Sequence, residues 1–131
     1  MKIITMKFFL LTFTLFTSYV SYSQTATEIF NAFSTQNYEI LKGYMDNSLD
    51  VCIDDVQQFN KKDIATMRLK DYFDKNPIIK LENLHQAASK KSSSNFHIAK
   101  LQTKAGTRRL FIYLEKGSNQ NVLKEIRIEK F

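Results

Sequence analysis

The chain has 131 residues, 44% of them hydrophobic and 24% charged, enough for one domain with an apolar core of its own. Its single cysteine, Cys52, excludes an intramolecular disulfide and with it the framework of tiny secreted scaffolds. The net charge of +6 is dispersed along the chain, with small basic clusters only at Lys61-Lys62, Lys90-Lys91 and Arg108-Arg109, which read as solvated surface rather than a nucleic-acid interface.

Residues 1–23 read as a secretory signal peptide. Lys2 and Lys7 precede an apolar run centred on Phe8 to Phe16, which gives way to small and hydroxylated residues, with Ser21 and Ser23 two apart before Gln24. Its strongly apolar part is shorter than the 17 to 25 residues that a membrane span needs, so no stable membrane insertion follows cleavage. Cleavage after Ser23 leaves 24–131 as a single domain of 108 residues, with 17 basic and 13 acidic residues and a net charge of +4. No cysteine follows the cleavage region, which argues against a lipid anchor. The expected setting is therefore periplasmic or secreted, away from nucleic acid.

From Thr27 to Asn47 the pattern predicts a helix in two parts. Ile29, Phe30 and Phe33 form one apolar face, Thr35-Gln36-Asn37 interrupts it, and Ile40, Leu41, Tyr44 and Met45 resume at helical spacing with Asn37 as N-cap. Leu49 to Asp54 then alternates as a half-buried strand, with Leu49, Val51 and Ile53 inward and Asp50, Cys52 and Asp54 opposite. A short extended piece at Val56 to Phe59 leads to a second helix, with Asn60 as its expected cap and Asp63 three residues on. Its stripe is Ala65, Leu69, Tyr72 and Phe73, and Pro77 ends it near Lys75.

Ile78 to Ala88, Asn95 to Lys104, Thr107 to Lys116 and Asn121 to Lys130 read as four strands, the last three joined by short turns into an antiparallel meander. Leu110, Ile112 and Leu114 point one way, and Phe111 and Tyr113 the other. Ile126 and Ile128 oppose Glu125, Arg127 and Glu129 on the last strand.

This order of elements resembles the nuclear-transport-factor-2-like fold, also grouped as cystatin-like. More narrowly the mature chain resembles the small exported proteins of Bacteroidota grouped as domain of unknown function 4783. The resemblance rests on Tyr38-Glu39-Ile40-Leu41-Lys42-Gly43-Tyr44-Met45-Asp46, Val51-Cys52-Ile53-Asp54-Asp55, Lys70 to Pro77 and Leu123 to Lys130. It implies an α+β cone: a broken N-terminal helix, a second helix and a curved, mostly antiparallel sheet that ends in a four-strand run. It implies no reaction.

Enzymes that resemble ketosteroid isomerase or scytalone dehydratase place an Asp or His base and Tyr donors inside such a cone, where burial shifts the carboxyl pKa. The residues here that can line a pocket are Tyr44, Asp54, Tyr72, His97 and Tyr113. No catalytic residue can be assigned. Asp54 and Asp55 are adjacent and read as a turn. His85 and His97 lack acidic or thiol partners at ligand spacing, so neither a metal nor any other cofactor is expected. Cys52 reads as a packed thiol, and the three glycines form no phosphate loop. The reading is of an exported protein that binds a small apolar ligand or a protein partner without catalysis. A lyase or isomerase with a buried Asp or His base is one alternative. A homodimerising module, built on Phe111 and Tyr113, is the other.

Overall fold

The computed structural model describes residues 21–88 and 94–131, and the side chains of all of these except 85–88 and 94. The proposed leader lies outside the described residues save for Ser21, Tyr22 and Ser23. Ser21 caps the first helix, its Oγ accepting from the Gln24 N–H at 3.2 Å.

Three helices and six strands are described. α1 (Tyr22–Ser34) and α2 (Tyr38–Tyr44) form the broken helix. Gln36 sits at φ 51 in the break, and the Asn37 side chain accepts from the Ile40 N–H at 3.3 Å, as expected of an N-cap. β1 (Met45–Ile53) follows at once. Met45, expected in the helix, is extended instead and pairs with Leu123, because a partner strand offers its backbone the bonds that a helix ending at Gly43-Tyr44 no longer supplies.

β2 (Val56–Lys61) returns antiparallel through Asp54 and Asp55, at φ 45 and 70. These are the left-handed values of a type I′ hairpin turn, which short polar residues tolerate. Asp54 is thus a turn residue and not the end of the strand. α3 (Lys62–Lys75) ends where Pro77 required. Asn60 does not cap it. That residue lies in β2 and its Oδ1 accepts from Arg68 Nη1 at 3.0 Å, while Lys61 occupies the cap position without a side-chain bond.

β3 (Ile78–Ala88), β4 (Ser94–Thr103), β5 (Gly106–Lys116) and β6 (Asn121–Lys130) form the antiparallel run. The sheet order is β2-β1-β6-β5-β4-β3. β1 and β6 are parallel, and every other pair is antiparallel. A register shift beside Tyr113 and Leu114 sets Leu114 against Leu123 and Tyr113 against Glu125. The bulge lets Leu123 and Ile126 both face inward although they are three residues apart.

The inner face is closed. Leu49 and Val51 of β1, Leu110, Ile112 and Leu114 of β5, and Leu101 of β4 are fully buried against Phe33, Leu41, Leu69 and Phe73 from the helices. The Phe33 and Phe73 rings meet edge to face with centroids 6.1 Å apart. Burial of each large side chain stabilises the fold by about 1.5–3 kcal/mol. Cys52 is buried on the opposite face of β1, outside this core.

Candidate functional site

Polar groups collect at the two ends of this apolar interior. β4 and β6 begin at the same end, and there the inward positions carry Asn95, His97 and Asn121 instead of aliphatic residues. α1 brings Thr25 against them, its Oγ1 accepting from Asn121 Nδ2 at 2.9 Å. All four are buried. His97 is only 3% exposed and Asn95 only 4%, yet His97 Nε2 and Asn95 Oδ1, both closed to solvent, have no hydrogen-bond partner among the described residues. Burial pushes the His97 imidazole below its ordinary range and keeps it neutral, a donor at one nitrogen and an acceptor at the other.

His97 lines a partly open pocket of about 230 Å³ between α1 and the β3–β4 hairpin. Phe30 and Ala26 of α1 form one wall, and Asn83, Leu84 and Ile98 form the other. The β3–β4 register shifts between Asn83 and His85, and this irregularity falls beside the pocket at Leu84.

The opposite end holds Asp54, Tyr72 and Arg108. Arg108 opens β5 on the same face as Leu110 and Ile112, so it points inward. Its side chain is 14% exposed and its Nε lies 3.3 Å from Asp54 Oδ1. Tyr72 Oη is buried beside this pair without a hydrogen bond of good geometry. Burial raises the Tyr72 pKa; Asp54 adds to that rise, and the adjacent Arg108 opposes it. Arg108 is therefore part of an ionic plug, not a solvated surface base as its neighbour Arg109 suggested.

The five residues expected to line one pocket are dispersed. His97 stands at the first end, and Asp54 and Tyr72 stand together at the second. Tyr44 donates to Glu28 Oε2 beside a shallow groove between α1 and α2. Tyr113 lies on the outer face of the sheet, its ring centroid 6.0 Å from that of Phe96. The backbone of His85 pairs with Ile98, and its side chain lies outside the described residues. The carboxylate that does meet a Tyr, Asp54 beside Tyr72, is ion-paired to Arg108, and His97, Tyr44 and Tyr113 stand apart from it, which weakens the lyase or isomerase reading. No cluster of three metal-ligating side chains is found among them either, and none of their helices is long and apolar enough to cross a membrane.

Asn95, Asn121, Thr25 and Arg108 were not singled out from sequence, although strand parity carried a signal for three of them. Asn95 and His97 share parity with Ala99 and Leu101, Arg108 with Leu110, and Asn121 with Leu123.

Residues 26–129 match the model of a domain of unknown function, DUF4783. A crystal structure of a DUF4783 family protein from Bacteroides ovatus is similar, with a TM-score of 0.73 and 27% identity, covering 79% of this chain and 93% of that one. Another, from Bacteroides uniformis, gives a TM-score of 0.74 at 25% identity, over 80% of this chain and 95% of that one. An NTF2-like protein of unknown function from Cytophaga hutchinsonii shares the fold, with a TM-score of 0.60 at 7% identity over 86% and 91% of the two chains. None of the curated proteins compared matches the chain.

Proposed function

We propose that this chain, which belongs to the DUF4783 family and has an NTF2-like α+β fold, is an exported binding protein that takes a small molecule at the His97 pocket without catalysis. The observation that carries the reading is the pocket itself: an open cavity of about 230 Å³ in whose wall the almost wholly buried His97 side chain stands beside Phe30 and Asn83. The interior between the two polar ends is filled, and this mouth has both an apolar wall and a polar handle. Export is supported by the charged, apolar and small-residue pattern of residues 1–23.

Native mass spectrometry of the protein, isolated gently from the cells that make it, tests this. A reproducible adduct that is absent from the His97→Phe variant is expected. A bare chain mass in repeated preparations counts against small-molecule binding and moves weight to a protein partner.

A second reading, of a homodimer, is favoured by the outer sheet face. Phe96 is 40% exposed, and its ring stacks 5.4 Å from Phe111 and 6.0 Å from Tyr113. Lys100 and Arg109 lie to one side of these rings along the strands, and Glu115 to the other. A twofold axis through the rings sets opposite charges against each other. Light scattering that shows monomer alone at high concentration rules this reading out.

A further inference from the structure

The walls of the His97 pocket restrict the chemistry of what can fill it. Phe30 and Leu84 offer apolar surface, and Asn83 and His97 offer hydrogen bonds. No Asp, Glu, Lys or Arg side chain lines the pocket among the described residues. An ionised ligand would therefore give up water without gaining a counter-charge, which is strongly unfavourable. In the exported chain, cleaved after Ser23, the Thr27 hydroxyl loses its Ser23 carbonyl acceptor, so recognition falls to Thr27, Asn83 and His97. Each of these presents a donor and an acceptor when neutral.

Size narrows the class further. A volume of about 230 Å³ lies below the roughly 300–1,000 Å³ of pockets for drug-sized ligands. It accommodates one ring with a short substituent.

We infer that the ligand is a small, uncharged, one-ring compound with a substituent that both donates and accepts hydrogen bonds, such as a carboxamide. This deepens the binding reading above and rests on it. The ring lies against Phe30 and Leu84, and the substituent meets Asn83 and His97.

Benzamide, benzoate and benzylamine share one shape and differ in charge, so they separate the class from the site. Each is titrated into labelled protein while the His97 ring, the Asn83 side-chain amide and the backbone amides are followed by NMR. Benzamide is expected to shift the pocket resonances saturably and to bind roughly tenfold or more tightly than either charged analogue. Asn83 is exposed, so Asn83→Leu keeps the fold and is expected to weaken benzamide at least about fivefold. Circular dichroism checks folding of the buried His97→Phe variant, which is expected to lose the response.

Benzoate or benzylamine binding as well as benzamide overturns the uncharged class and leaves the binding site standing. No response to any of the three, from protein that carries an adduct by native mass spectrometry, overturns the one-ring carboxamide class alone. No response and no adduct overturns this inference and the binding reading together.

Discussion

His97 gives the chain a specific acid sensitivity. Its pKa is lowered in the folded state by burial, while in the unfolded chain it returns to about 6.5. Below that value the unfolded state takes up a proton that the folded state resists, so the stabilising effect of a neutral His97 is present above about pH 6.5 and is lost as pH falls through the folded pKa. Urea melts at a series of pH values are expected to show stability declining from about pH 6.5 downwards, with a flatter profile in His97→Gln. A second residue-scale test concerns Arg108 and Asp54. Asp54 is 37% exposed, so a double-mutant cycle of Arg108→Met and Asp54→Asn is expected to give a coupling of only about 0.5–1 kcal/mol. Gly117 is the stricter position. A Cβ there meets the Gln120 carbonyl oxygen and Val122 Cγ2, both at 2.5 Å, and backbone cannot swing aside as a side-chain tip can. Gly117→Ala is expected to destabilise by about 1–3 kcal/mol in the same melts.

Among the elements, the strands were the most legible because alternation has a single period and Gly-rich or polar turns punctuate it. The bounds of β3 and β6 matched their sequence readings, and Leu110, Ile112 and Leu114 turned inward as their parity required. Helix ends were less legible. Met45 continues the helical spacing of Leu41 and is a good helix former, yet the nearby β6 strand claims its backbone. Asn60 has the chemistry of a cap, but Arg68, eight residues on, donates to its side-chain carbonyl. The site was legible only in fragments. His97 was among the expected pocket residues and does line one, but Tyr113, counted with it although its parity opposes Leu110 and Ile112, lies on the outer face, and the α1 wall arises from tertiary packing that no local pattern encodes. The break between α1 and α2 gives the element-scale test. Loss of the Asn37 side-chain bond to the Ile40 N–H in Asn37→Ala is expected to lower stability by about 1 kcal/mol in thermal melts.

For the molecule as a whole, the two polar ends and the apolar middle divide the work. The middle supplies stability, the Asp54–Arg108–Tyr72 end is plugged, and the His97 end is open to α1 and the β3–β4 hairpin. The sheet order also has a consequence for how the chain reaches this state. β6, the last strand in sequence, lies between the β1–β2 hairpin and the β3–β5 meander and is the only strand that joins them. Neither half can close its inner face until β6 arrives, because the seam spans most of the chain. A chain ending at Gln120 is accordingly expected to show no cooperative unfolding transition. For a polypeptide that we propose is threaded across a membrane, this delay keeps it slack until its tail is made, and the fold snaps shut from its centre outwards.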